Sequence, residues 1–291
     1  MAIFNLGSIN VDYFYTLPHL VQAGETIAAS GMSEGLGGKG VNQSVAIGRA
    51  GGDVWHIGTM GKANADYLDI ISAAGVHTDH IRLIDAPSGH AIVMVDEQSA
   101  ENQIVIVPAA NHQIAPEQIS DALAQARSGD WVVTQNETLM AERFLQEAKQ
   151  AGLRICYSAA PFVAEITATL LPLADLLVVN EGEAASLSAM VGTSYEALGL
   201  PHLIITYGAK GAEYIGEAGR FHVPAPSVKA VNTTGAGDTY LGYILAGLDA
   251  GLDMKSAMHR AAAAAAIQVT RPGAADAIPT KDEVEAMLAN G

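Results

Sequence analysis

The sequence predicts an α/β protein: a doubly wound, mostly parallel sheet with helices on both faces, joined by a small β-sheet. Three observations carry this. Short β-branched runs alternate with longer amphipathic runs along most of the chain, the pattern of parallel strands linked by helices. One stretch breaks the alternation with two consecutive β-like runs, which suits a hairpin. And 291 residues with 49% hydrophobic and 16% charged content can bury a sizeable core, so one large ordered domain, or one large plus one small, is expected over residues 1–291.

The elements follow in order. Ile3–Leu6 reads as a strand ended by Gly7, Val41–Ala50 as a helix, Val54–Ile57 as a strand, and Tyr67–Ala74 as a helix stopped by Gly75. His90–Val95 and Gln103–Val107, joined by the polar turn Asp96–Asn102, form the expected hairpin. From Pro116 the alternation resumes: helix Pro116–Ala126 with proline in its first turn, strand Trp131–Thr134, helix Ala141–Ala151, strand Arg154–Tyr157, strand Leu176–Val179, helix Glu181–Met190 and strand Leu203–Thr206. The end is helical: Thr239–Ala250, Lys255–Thr270, with a tightly packing Ala261–Ala266, and Lys281–Leu288. In such sheets ligands bind beyond the carboxyl ends of the strands, so the polar and glycine-rich segments there are the places to look for chemistry.

Charge narrows the function classes. Asp and Glu number 31 against 15 Lys and Arg, a net charge of −16, which repels phosphate backbones and anionic membranes and argues against a nucleic-acid binder. An anionic small substrate remains open, because a local pocket of backbone N–H groups overrides the global field. The one cysteine, Cys156, permits no internal disulfide. Met1–Leu6 lacks the features of a signal peptide, and Ala261–Val269 is too short for a bilayer that needs about 20 apolar residues. A cytoplasmic protein without membrane partners is the expectation.

Four segments look chemical. Gly35–Asn42 contains G-x-G-x-x-G, but does not follow an opening strand as a dinucleotide fingerprint should, and Gly40 after Lys39 excludes a P-loop. It reads as a tight turn feeding a helix, with Lys39 and Asn42 three apart so that both can face one ligand. Asn232–Asp238 places Gly235, Ala236 and Gly237 at a helix start, where unpaired N–H groups and the helix dipole make an anion hole. Asp238 beside it is either a helix cap or a base that takes a proton from a hydroxyl. Asn10 and Asp12, two apart in an extended segment, project to the same side and suit vicinal hydroxyls, against the plainer reading of a strand-end turn. Asn180 and Glu183 form either a capping box or part of a Mg²⁺ shell, and both readings are compatible. Thr206–Gly211 is a glycine-rich turn after a strand that could line a nucleotide. His77 and His80 have ligand-like spacing but no third ligand.

Taken together the motifs resemble the ribokinase-like carbohydrate kinases of the PfkB type. Gly37–Gln43 through Gly51 resembles the first signature of that family and Asn232–Thr239 the second, usually written D-T-x-G-A-G-D. Asn180–Glu183 is similar to its N-x-x-E element, and the order and spacing agree from Ile3 to about Ile278. Within the family, the Gly7–Asp12 start and Gln43 are most similar to the ribose kinases. The resemblance implies a ribokinase-like fold with a small β-sheet lid, built from about 13–34 and 88–108 and often used to form a homodimer. It implies that Asn10, Asp12, Gly38, Lys39, Asn42 and Glu137 bind the sugar; that Asn180, Thr206, Gly208, Gly211 and Gly237 line ATP; that Gly235, Ala236 and Gly237 form the anion hole; and that Asp238 is the base. Glu183 would hold Mg²⁺ through water.

The implied activity is transfer of the γ-phosphoryl group of ATP to a primary hydroxyl of a small sugar, best fitted by D-ribose. Alternatives are the same chemistry on another sugar or a nucleoside, a non-catalytic sugar-binding relative, and a nicotinamide-dependent oxidoreductase. The departures from the family pattern cluster near the nucleotide. Ala262 stands where Asn or His often meets adenine, and Val191–Leu203 is short by a helix. Asn232 replaces the usual Asp and Ala277 a frequent Ser in the loop that, with Thr234, Gln268, Arg271 and Gly273, holds a monovalent cation in the family. Loss of that carboxylate predicts weak or absent K⁺ dependence.

Overall fold

A computed structural model describes residues 1–99 and 101–290. It contains two sheets. The larger has the spatial order Gly219–Val223, Ala212–Gly216, His202–Thr206, Leu176–Asn180, Arg154–Ser158, Trp131–Thr134, Ala2–Leu6, Asp53–Gly61 and Val76–His77, with Ile81–Ile84 also paired to Asp53–Gly61. From His202–Thr206 to Val76–His77 every neighbouring pair is parallel; the last two strands at the other edge form an antiparallel hairpin.

The central strands are apolar on both faces, and alternate residues feed two cores. Ile3, Trp131, Val133, Leu176 and Ile204 meet the helices Lys39–Arg49, Ala236–Asp249 and Met254–Val269 through Val45, Ile47, Leu241, Leu245 and Met258. Phe4, Val132, Ile155, Leu177 and Ile205 meet the helices Pro116–Leu123, Ala141–Gln150, Ala164–Leu170 and Glu181–Val191 through Ile119, Phe144, Leu145, Leu170 and Leu187. The expected doubly wound sheet is present. Among the described residues no helix is long and apolar enough to cross a membrane.

The smaller sheet has the order Gly31–Gly37, Asn10–Leu17, Gly89–Asp96, Asn102–Val107. It begins at Asn10, earlier than the segment 13–34 suggests, and so includes Asn10 and Asp12 themselves. The expected hairpin is formed by Gly89–Asp96 against Asn102–Val107, though part of its turn, at residue 100, lies outside the described residues. Elements the sequence reading omits have physical reasons. Ala164–Leu170 is a helix rich in β-branched Ile and Thr, which weaken a helical signal. The edge hairpin Ala212–Val223 buries Ala212, Tyr214 and Val223 at period two, a pattern that was available but short. Helix Ala236–Asp249 starts three residues before the expected Thr239, which places Asp238 inside it.

Candidate active site

The carboxyl edge of the parallel strands gathers the motif residues. Ala2–Leu6 leads into Ser8, Trp131–Thr134 into Gln135 and Glu137, and Leu176–Asn180 and His202–Thr206 end in Asn180 and Thr206. The small sheet brings in Asn10 and Asp12, and two helices bring in Lys39, Asn42 and Asp238. Lys39–Arg49 and Ala236–Asp249 cross so closely that a Cβ on Gly242 would lie 2.5 Å from the Cβ of Ala46. One turn before that crossing on each helix stand Asn42 and Asp238, so glycine at 242 is what lets them meet.

Asp238 is buried and held at both oxygens: the Gln43 amide donates to Oδ1 at 2.9 Å and the Asn42 amide to Oδ2 at 3.2 Å. The cap of its helix is Gly235, and Asp238 is the third helical residue, so the capping reading fails. Burial pushes its carboxyl pKa up, while the Lys39 ammonium and the two amides pull it back. Lys39 is in turn raised, mainly by Asp238. Gly235 adopts φ 76°, a left-handed turn from which the helix starts, and the first amides of the helix have no acceptor within it. That of Ala236 reaches back to the Thr233 carbonyl at 3.3 Å, a long contact that an incoming anion can replace.

Glu137 accepts from the Ser8 hydroxyl and from the backbone N–H of Lys39 at 3.1 Å. Lys39 begins its helix immediately after the Gly38 cap. Asp12 is buried, and its pKa is pushed up to about 6, first by desolvation and then by the Glu137 charge. Its Oδ1 has no hydrogen-bond partner, and neither does Oδ1 of Asn42. Asn10 is fixed by Asn111, whose amide donates to Asn10 Oδ1 at 2.7 Å while its own carbonyl accepts from Ile9 N–H at 2.9 Å.

Behind these groups lies a polar chain that sequence reasoning missed. The Gln135 amide donates to Gln43 Oε1 at 2.6 Å and to Asn5 Oδ1 at 3.0 Å; Asn5 donates to Ser44 Oγ at 2.9 Å, and Ser44 meets His56 at 2.8 Å. All are buried, and desolvation lowers His56 to about 4, leaving it neutral. Gln43 and Ser44 lie inside the Gly37–Gly51 stretch already singled out, and Gln135 two residues before Glu137; Asn5, His56 and Asn111 carry no local signal.

The other half of the edge is built differently. Asn180 and Glu183 form a reciprocal capping box, with Glu183 N–H donating to Asn180 Oδ1 at 2.9 Å and Asn180 N–H to Glu183 Oε2 at 2.8 Å. Burial raises the Glu183 pKa, and the Asn180 N–H and the Lys39 charge oppose it. After Thr206, residues Gly208–Lys210 make one tight turn that Gly211 closes, its carbonyl accepting from Tyr207 N–H at 2.8 Å. Asn232, Thr234, Gln268 and Gly273 do converge, but the Thr234 carbonyl accepts from the Gln268 amide at 2.9 Å and Asn232 Oδ1 from Thr234 N–H at 2.8 Å. The Arg271 guanidinium points to Glu283 at 2.6 Å. His77 stacks on Trp55, 4.1 Å between centroids, and His80 tilts against the same ring; among the described residues no three His, Cys, Asp or Glu are grouped to hold a metal ion.

Comparison with known proteins shows the family and the fold. The family model described as pfkB family carbohydrate kinase matches residues 2–281. A ribokinase of Bacillus subtilis is 33% identical over 97% of this chain and 98% of its own length. A deoxyribokinase of Salmonella typhi is 28% identical over 99% of each chain. The crystal structure of a ribokinase from Cryptococcus neoformans in complex with ADP superposes with a TM-score of 0.86 at 29% identity, over 98% of this chain and 99% of that one. The fold is therefore the ribokinase-like α/β fold, and the chain belongs to the pfkB family of carbohydrate kinases, phosphotransferases acting on a sugar hydroxyl.

Proposed function

We propose that the chain transfers the γ-phosphoryl group of ATP to the primary hydroxyl of D-ribose. The observation that carries the sugar half is a pair of buried, donor-less oxygens, Asp12 Oδ1 and Asn42 Oδ1, beside the carboxylates of Glu137 and Asp238. Buried acceptors without donors are costly, and a polyhydroxylated ligand supplies the missing O–H groups. Asn10, Asp12, Gly38, Lys39, Asn42 and Glu137 would then grip the sugar. Asp238, with both oxygens already fixed by Gln43 and Asn42, would take the hydroxyl proton as that oxygen attacks the γ-phosphorus.

Gly235, Ala236 and Gly237 would hold the charge that develops on the transferring group, and Lys39 would balance it from the acceptor side. Asn180, Thr206, Gly208, Gly211 and Gly237 would line the nucleotide. Mg²⁺ needs few protein ligands when phosphates supply the others, and the Glu183 carboxylate would hold it through water. It would supply neutralisation of phosphate charge. The four-stranded sheet would close over the sugar as a lid and exclude water. Its outer strand, Asn102–Val107, exposes Ile104 and Ile106 on one face and Val105 and Val107 on the other, which a second copy of the chain would cover in a homodimer.

The deciding experiment is a panel of D-ribose, 2-deoxyribose, other pentoses, ketohexoses and nucleosides with Mg-ATP, ranked by kcat/KM. Ribose is expected to lead. A higher kcat/KM for deoxyribose or for a nucleoside would move the substrate while leaving the chemistry; no turnover of any acceptor by folded protein would overturn it.

A further inference from the structure

We propose that the side-chain amide of Gln268 is the positioning group for the Gly235–Gly237 turn, standing where the family resemblance sets a monovalent cation. This rests on reading that turn as the anion hole. Gln268 lies near the end of helix Met254–Val269 and is fully buried. Its Nε2 donates to the Thr234 carbonyl at 2.9 Å and, more weakly, to the Ala274 carbonyl at 3.4 Å. Its Oε1 accepts from the hydroxyl of Thr239, in the first turn of helix Ala236–Asp249. One amide thus ties together the residue before the turn, the residue after Asp238, and the loop that follows the helix. The turn passes directly over it: a Cβ on Gly235 would come within 2.8 Å of Nε2.

The donor set does not fit a cation. A bound K⁺ would need several oxygens facing it in place of its hydration shell, with no N–H donor among them, and the carboxylate usual at position 232 would add to its binding. Here the Thr234 and Ala274 carbonyls already accept from Nε2, Asn232 Oδ1 is turned to Thr234 N–H at 2.8 Å, and Asn232 Nδ2 approaches the Gly273 carbonyl at 3.5 Å. Position 232 is neutral, and Ala277 brings no hydroxyl. The far side of the same loop is filled by another donor, since Arg49 Nη1 donates to the carbonyls of Ala275, Asp276 and Ile278. A glutamine has two N–H donors and one carbonyl acceptor, and all three are used. Fixed N–H dipoles thus do what a diffusible ion would do, drawing together carbonyls that would otherwise repel, and they cannot be washed out.

Two measurements test this. The first uses the unmodified protein: initial rate and thermal midpoint over a KCl series, with tetramethylammonium chloride holding ionic strength constant. Neither should respond specifically to K⁺; saturable K⁺ activation, or a K⁺-specific rise in midpoint, overturns the proposal. The second uses Gln268→Met, which keeps volume and removes the donors, and Asn232→Asp combined with Gln268→Ala, which opens the cage and restores a carboxylate. Gln268→Met should lose about tenfold or more in kcat with sugar KM little changed. The double variant should gain a K⁺-specific rise in both midpoint and rate. Wild-type turnover in folded Gln268→Met, or a double variant blind to K⁺, overturns the placement. The midpoint arm reads cation binding without turnover, so it stands even if the acceptor is not a sugar.

Discussion

The proposed acceptor half and the proposed nucleotide half of the carboxyl edge are made by opposite means. Around Asp238 every contact is buried and long-range: Asn42 and Gln43 reach it across 196 and 195 residues, and Gln135 backs Gln43 across 92. Around Asn180 the contacts are three residues apart and exposed, and the turn at Gly208–Gly211 is closed by its own backbone. On the proposed mechanism this division is sensible. A proton must leave one defined atom on the acceptor side, and a rigid, dry network holds the base there at no cost during the step. A nucleotide must enter and leave on the other side, where local caps open without disturbing the core.

The sharpest way to break the comparison is at Asp238. Asp238→Asn keeps shape but leaves no base, and it puts an amide where Asn42 and Gln43 already present theirs. We expect kcat to fall by about 10²–10⁴-fold, with ATP binding by calorimetry nearly unchanged. A folded variant with near-normal turnover would show that the buried network serves stability alone.

Next in size is Asp12. Its folded pKa of about 6 exceeds the ordinary value of 3.8, so between these values the folded state holds the extra proton. Its contribution to stability therefore falls as pH rises through that window and is an ionisation penalty above it. A sugar whose hydroxyls donate to the carboxylate offsets that penalty. Sugar should thus raise the thermal midpoint more at pH 7.5 than at pH 5, and sugar KM should climb below about pH 6, approaching tenfold per unit. Asp12→Ala should flatten this dependence and weaken sugar binding by roughly 1.5–3 kcal/mol per lost bond, with nucleotide affinity intact. A pH profile shared by the variant would place the titration elsewhere.

The same contrast decides what the sequence discloses. The capping box at Asn180–Glu183, the glycine turn before Asp238 and the alternation of strands and helices are local, and local chemistry is written in adjacent letters. That Asp238 sits third in its helix rather than at its cap depends on Gly235 taking the left-handed turn, which the Gly-Ala-Gly text allows at two places. The buried amides are another matter. Asn5 is one letter in a strand, Asn111 one in a short turn and Gln268 one in an alanine-rich helix, and nothing near them in the chain says what they face. The parallel register of Ala2–Leu6 with Trp131–Thr134 brings Asn5 to Gln135, and the crossing at Gly242 and Ala46 brings Gln43 to Asp238. Gln268 illustrates the cost: read as a backbone ligand in a cation loop, it is the side chain that bridges the loop.

The smallest expected effect tests whether the two halves are independent. Asn180→Ala removes the cap that accepts from Glu183 N–H, while the Glu183 carboxylate stays. Losing an N-cap of this kind costs about 1 kcal/mol locally. Because Asn180 is exposed and its helix, Glu181–Val191, buries only Ala184 and Leu187, the loss should appear as fraying of the first turn rather than as a lower global midpoint. The nucleotide contacts proposed for that turn should weaken to a similar degree, so ATP KM should rise about fivefold while sugar KM and the pH profile of Asp12 stay put. One connection could carry the change across: Lys39 feels Glu183 as well as Asp238 and Glu137. A shift of sugar KM equal to that of ATP KM in Asn180→Ala would mean that Lys39 couples the halves, and that the edge works as one site rather than as two. Glu183→Gln separates these outcomes, since it removes the charge Lys39 feels and keeps a side chain that can still accept from Asn180 N–H.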